Sequence, residues 1–195
     1  MLNETLEQSR ELRLAAMAAA LEEQLTHSAS TTLGFEERLA LLVDRERNHR
    51  HDKRLAGLLK RARLKYPQAC IEDVQSNTGR GLNRPAFTSL ALSRWVEQGL
   101  TLVIIGPTGS GKSWLACALA QHACRRAHPA LYLRVPRLAE ELRILHGKGG
   151  LSEWLVALAR TEVLVLDDWA LAPLEPETAS AGAASWSFLN TKNFF

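Results

Sequence analysis

The segment Gly106-Pro-Thr-Gly-Ser-Gly-Lys-Ser113 follows directly on the β-prone run Thr101-Leu-Val-Ile-Ile105 and precedes a stretch with helical spacing. Few short sequences constrain a fold as tightly. The pattern G-x-x-x-x-G-K-[ST] works only where a strand turns through a glycine-rich loop into a helix, which places it in a βα unit. Glycines let successive backbone N–H groups curl around phosphate oxygens, and the helix N-terminus adds positive potential. Gly106, Pro107, Thr108, Gly109, Ser110, Gly111, Lys112 and Ser113 are therefore the candidate nucleotide-binding residues. In such a loop Lys112 reaches the β- and γ-phosphates, and the Ser113 hydroxyl binds Mg²⁺.

Alternating strands and helices surround this loop. Thr101–Ile105 reads as a buried strand, 111–127 as a helix, and Ala130–Val135 as a second strand. A helix opened by Pro136 follows, then a third strand at Glu162–Leu166. Such alternation predicts an α/β chain with a parallel sheet. The run Val163-Leu-Val-Leu-Asp167-Asp168 is a buried strand ending in acids. In nucleotide hydrolases an acid there holds Mg²⁺, so Asp167 is a second candidate metal residue. Asp168 stands where many such enzymes place the carboxylate that orients the attacking water, and with Lys112 it forms the candidate catalytic pair. An N-K-x-D guanine reader is missing and Asp168-Trp-Ala-Leu171 replaces D-x-x-G, which favours ATP over GTP.

The N-terminal third has a different character. Residues 2–26 read as one amphipathic helix, and Phe35 to about Lys65 as a longer one ended by Tyr66-Pro67. Residues 1–37 carry seven acids and two bases, −5, whereas 38–65 carry ten bases and three acids, +7. Arg47, Arg50, Arg54, Arg61 and Lys65 fall within a ~60° sector of a continuous helix over ~27 Å, a length suited to a phosphate backbone. These five are the candidate DNA-binding residues. The expected organisation is a helical DNA-contacting segment 1–66, an ATP-binding domain 67–176 with a loop at Ser76–Pro85, and a tail 177–195 rich in Ala and Ser.

Composition removes several classes. The chain is 46% hydrophobic and 23% charged over 195 residues, which supports a packed core. Its apolar runs fall short of the ~18 residues a membrane span needs. Three cysteines, Cys70, Cys117 and Cys124, form no paired framework. Cys117 and Cys124 lie on one helix face and are expected to be buried. The chain thus reads as cytoplasmic, without a membrane partner.

Taken together, these residues give the chain a family likeness. It resembles the IstB-type helper ATPases of insertion sequences, relatives of the DnaC helicase loader within the AAA+ group. The stretches that carry the resemblance are Phe35-Glu-Glu-Arg-Leu-Ala-Leu-Leu42, Leu58-Leu-Lys-Arg-Ala-Arg63, Tyr66-Pro67, Gly79-Arg-Gly-Leu82 and Gly106–Ser113 with Leu115-Ala-Cys-Ala-Leu119. Pro136-Arg-Leu-Ala-Glu-Glu-Leu142 and Asp167-Asp-Trp-Ala-Leu-Ala-Pro-Leu174 complete them. The resemblance implies an ATPase using ATP and Mg²⁺ that assembles as a homo-oligomer on double-stranded DNA and assists the transposase of the same element. A helicase-loader role, or a non-catalytic fragment binding nucleotide or DNA, are the alternatives.

One departure from the family pattern carries its own expectation. AAA+ cores continue past the Walker B acid with a sensor strand and an arginine finger, and order their strands 5-1-4-3-2. Residues 177–195 do not match that pattern and read as a truncated or frameshifted end, with Ser185–Leu189 the best filler for the fourth strand. Strands 1 and 3 are then expected to keep unpaired edges, lowering stability and ATP turnover.

Overall fold

Helical spacing of leucine and alanine builds the first of two units, Met1–Ala56; the second is Gly57–Phe195. The computed structural model describes residues 2–27, 32–74, 84–169 and 193–194. Among the described residues, no helix is long and apolar enough to cross a membrane.

The single helix expected over 2–26 is two helices, α1 (Leu2–Glu11) and α2 (Ala15–Thr26). Arg13 takes a left-handed conformation, φ 60°. Its N–H bonds to the Arg10 carbonyl at 2.9 Å, and the Leu14 N–H to the Ser9 carbonyl at 2.8 Å. That paired pattern closes a helix C-terminus and turns the chain. Folding α1 back lets Leu6 be buried and brings Arg10 to within 2.6 Å of Glu22. The left-handed turn costs an L-residue about 1–2 kcal/mol, which burial of one leucine offsets at roughly 1.5–3 kcal/mol.

The next helix, α3 (Phe35–Ala62), begins in the first unit and ends in the second. At its start Glu37 reaches back to accept the Gly34 N–H at 3.0 Å. Glu46 lies on its inner face, only 7% exposed, and its Oε2 accepts the N–H groups of both Ala16 and Met17 at 3.1 Å. These are orphan donors in the first turn of α2, whose own N-cap residue, Leu14, has no side-chain acceptor. A carboxylate from another helix does the capping and meets the positive end of the α2 dipole.

In the second unit α3 stops at Ala62, because Arg63 is left-handed, φ 49°. The expected end near Lys65 is therefore too late. The turn sends Leu64 into the core and takes Lys65 off the helix. A single 3-10 turn (Ile71–Asp73) precedes α4 (Arg84–Ala91) and the short α5 (Arg94–Glu97). Arg84 and Pro85 open α4 rather than ending a loop, since proline suits a first helical turn.

Then come α6 (Lys112–Arg125), β1 (Ala130–Arg134), α7 (Val135–Lys148), α8 (Leu151–Ala159) and β2 (Val163–Asp167). The helix expected after β1 is two helices, divided at Gly149, φ 72°. β1 and β2 run parallel, with Ala130 opposite Val163 and Arg134 opposite Asp167. Alternation sends Leu131, Leu133, Leu164 and Leu166 to one face, where they pack with Leu138, Leu142, Trp154 and Leu158 of α7 and α8. Ala130, Tyr132, Val163, Val165 and Asp167 face the other way, toward the alanine- and cysteine-rich side of α6. Cys117 and Cys124 are free and at most 1% exposed, as the helical spacing predicts, and burial pushes both thiols up from their ordinary pKa.

The buried strand expected at Thr101–Ile105 does not form. Residues 101–107 have no regular structure, and Val103 and Ile105 are 69% and 89% exposed. A strand exists only where a neighbour accepts its N–H and C=O groups. On the side of β2 away from β1 lies a two-residue strand, β3 (Asn193–Phe194), paired with Val163 and Leu164. Residues 101–105 have no ladder partner among the described residues. The expected filler at 185–189, like the rest of 177–195 apart from β3, lies outside them.

Replacing Val103 and Ile105 together by threonine is expected to lower self-association without loss of stability, since the side chains bury little apolar area. Light scattering against concentration should fall, and the unfolding free energy should stay within ~0.5 kcal/mol. A much larger loss would place these side chains in the core.

Candidate functional site

Between Ile105 and α6 the chain makes a turn that few residue types tolerate. Gly109 and Gly111 have φ of 79° and 90°, in the left-handed region. At Gly106 the restriction is contact: a Cβ there would come within 3.0 Å of Ser110 Oγ. Lys112, first residue of α6, folds its side chain back into the turn, where Nζ donates to the carbonyls of Gly106 and Pro107, each at 2.8 Å. The loop is thus closed around an ammonium that keeps a third N–H. The positive end of α6, 14 residues long, points into the same space.

The carboxyl end of β2 completes the site from the opposite side. Ser113 Oγ donates to Asp167 Oδ1 at 2.9 Å, joining loop to strand across 54 residues of sequence. Tyr132 O–H donates to Asp167 Oδ2, and Lys65 Nζ lies 3.9 Å from that oxygen. Burial raises the pKa of Asp167, but donation from Tyr132 and Ser113 outweighs it and holds the carboxyl below its ordinary value. For Tyr132, burial and the neighbouring carboxylate both push the phenol far up. Asp168 is left-handed, φ 59°, and its Oδ2 accepts a hydrogen bond from Arg134 Nε at 2.7 Å and pairs with Nη2 of the same guanidinium at 2.6 Å. Two carboxylates thus face three cations, Lys65, Lys112 and Arg134. Lys65, Lys112, Asp167 and Asp168 line a cavity of about 610 Å³, together with Thr108, Gly109 and Trp169, and Arg134 stands behind Asp168.

Of the loop residues, Gly106, Thr108, Gly109, Gly111, Lys112 and Ser113 line one cavity with Asp167 and Asp168, and Pro107 and Ser110 do not. Tyr132 and Arg134 are new to the site. They stand two apart on β1, and the parallel register sets them on the face that carries Asp167. Alternation in Ala130-Leu-Tyr-Leu-Arg134 could have placed them there once the pairing was known.

The five basic residues expected to contact DNA are dispersed. Arg47 is 3.1 Å from Asp44 and remains largely exposed. Arg50 is engaged within the first unit, where its Nε bonds Glu46 at 2.8 Å and its Nη2 the Arg13 carbonyl at 3.1 Å. Arg54 and Arg61 are exposed on α3, and Arg61 also lines a second cavity of about 550 Å³ with Arg63, Arg160 and Trp154. Lys65 stands in the loop cavity instead of on a helix face, a consequence of the turn at Arg63.

Comparison with known proteins decides the family. Residues 7–182 match the family model described as IstB-like ATP binding protein. The chain belongs to this family. It is 53% identical over 175 residues to the protein named as the ATP-binding protein of insertion sequence IS1162 in Pseudomonas fluorescens, an alignment covering 90% of this chain and 76% of the relative. An insertion sequence ATP-binding protein of Sinorhizobium fredii is 40% identical over 89% of this chain and 70% of its own length. The corresponding IS21 protein of Pseudomonas aeruginosa is 29% identical, over 87% and 63%. The resemblance drawn from the motifs agrees with the family match, and the mixed α/β fold with its parallel strands fits an IstB-like ATP-binding protein.

Proposed function

We propose that this IstB-like chain binds ATP with Mg²⁺ and acts as a DNA-bound helper of the transposase encoded by the same insertion sequence. The observation that carries the nucleotide part is the 2.9 Å contact between Ser113 and Asp167, beside a loop whose lysine and helix end both present positive charge. The loop N–H groups and Lys112 hold the phosphates. Ser113 and Asp167 supply hard oxygen donors of the kind Mg²⁺ prefers, and they would hold it. The cation would neutralise charge on the phosphate oxygens. Arg134 meets Asp168 at Oδ2, and Oδ1 of the same carboxylate would orient a water. Insertion-sequence naming among the relatives supports the transposition role, with the intact assembly a homo-oligomer on duplex DNA. Titration of a fluorescent ATP analogue tests the nucleotide reading: binding should tighten with Mg²⁺, and Asp167→Asn should abolish that dependence. Equal affinity with and without Mg²⁺ would sink it.

The DNA part rests on Arg47, Arg54 and Arg61, with Arg50 and Lys65 engaged elsewhere. Changing Arg47 and Arg54 to alanine is expected to weaken duplex binding at all sequences alike. The slope of log affinity against log salt should flatten by about 2 if each meets one phosphate. Arg50 is left in place because its loss would disturb Glu46. An unchanged slope would make these arginines a solvated face only.

A further inference from the structure

Asp167 has two carboxylate oxygens, and each accepts a different hydroxyl, Oδ1 from Ser113 and Oδ2 from Tyr132. Tyr132 lies at the centre of β1, 7% exposed, opposite Val165 in the ladder. Its neighbours Leu131 and Leu133 serve as packing residues, and packing alone would be met equally well by phenylalanine. The phenol is different because its one O–H is directed at the strand-end acid.

The terminal torsion of an aspartate is broad, so a carboxylate bonded through one oxygen can swing its plane. Pinning Oδ2 fixes that plane and keeps Oδ1 toward Ser113 and the loop. Lys65 also lies near Oδ2, at 3.9 Å, but it carries a positive charge that opposes an arriving cation. Tyr132 is a neutral donor and can stay in place when a cation binds. We propose that Tyr132 is a positioning residue for the divalent cation that accompanies the nucleotide, acting through Asp167. The proposal rests on the reading of Ser113 and Asp167 given above.

The test is a Mg²⁺ titration of the full chain with a fluorescent ATP analogue, comparing wild type, Tyr132→Phe and Asp167→Asn. For Tyr132→Phe the Mg²⁺ concentration at half-effect should rise about tenfold, the lower range for loss of a group that orients a metal ligand. Affinity for the analogue without Mg²⁺ should stay within about twofold, since the phosphates meet the loop and not β1. If only Asp167→Asn raises the Mg²⁺ requirement, the positioning role is overturned and the cation role of Asp167 stands. If Tyr132→Phe weakens binding equally with and without Mg²⁺, Tyr132 is a packing residue and the proposal is wrong. If the wild type shows no Mg²⁺ dependence, the cation reading fails and takes this proposal with it. A second measurement keeps the Tyr132 hydroxyl in place. The chain has two tyrosines, so fluorotyrosine labelling gives two resonances, assigned through Tyr66→Phe. Mg²⁺ added to nucleotide-bound protein should shift the Tyr132 resonance; an unmoved resonance overturns the proposal.

Discussion

Lys112→Ala is expected to weaken binding of Mg²⁺·ATP by about 100-fold, ~2.8 kcal/mol, within the range for a charge-assisted hydrogen bond lost along with loop order. Two effects combine. The substitution removes a cation from the phosphates, and it releases the Gly106 and Pro107 carbonyls that the ammonium gathers at 2.8 Å. Lys112→Arg should not restore affinity, because a planar guanidinium cannot replace a compact point charge inside so tight a turn. Calorimetric titration of ATP against the three proteins measures it. An affinity for Lys112→Ala within threefold of wild type would show the lysine to be structural only.

Glu46→Ala should cost the first unit about 3 kcal/mol, since it removes a buried acceptor from two N–H groups and leaves Arg50 without its carboxylate. Glu46→Gln keeps the shape but loses the charge, and about half that cost is expected. The bond from Arg50, opposed by burial and reinforced by the Met17 and Ala16 N–H groups, holds the Glu46 carboxyl below its ordinary pKa. With the folded value depressed, the stabilisation is complete above the unfolded glutamate pKa of about 4.3 and is lost as pH falls through the folded value. All five tryptophans lie beyond residue 56, so tryptophan fluorescence follows the second unit and the first is read as the helix circular dichroism lost outside that transition. Urea unfolding at neutral pH, repeated below pH 4, checks both claims. Equal stability of wild type and Glu46→Ala at neutral pH would mean that α2 needs no cap from α3.

Much of the site was legible because it is local. Gly106 to Ser113 is one continuous stretch whose residue types dictate the turn, and the helical pattern after it is borne out by α6, whereas the strand expected before it does not form. Asp167 was legible for a similar reason: a buried β-prone run ending in an acid needs no knowledge of its partners. Fold class came from the alternation of periods of two and near four, which holds for β1, α7, α8 and β2 although the strand expected at 101–105 does not form. The buried cysteines of α6 followed from their spacing on one helix face.

What escaped the sequence depended on groups far apart along the chain. The turns at Arg13 and Arg63 place non-glycine residues at positive φ, against local preference, because Leu6 and Leu64 gain burial by them. Glu46 looked like one acid in a basic stretch, and only the packing of α3 on α2 shows it to be a cap acting across 30 residues. Arg50 and Lys65 fit a helical stripe by arithmetic, yet one is bound to that cap and the other lies beyond the end of its helix. Thr101–Ile105 has every local mark of a strand, but strand formation requires hydrogen-bond partners on a neighbouring chain segment, and composition cannot supply them. Tyr132 and Arg134 join the site only through the register of β1 on β2, which sets which side chains share a face with Asp167. Residue type and short-range spacing were thus enough for the glycine-rich loop, whereas the groups that hold the strand-end carboxylates in place were decided by long-range pairing.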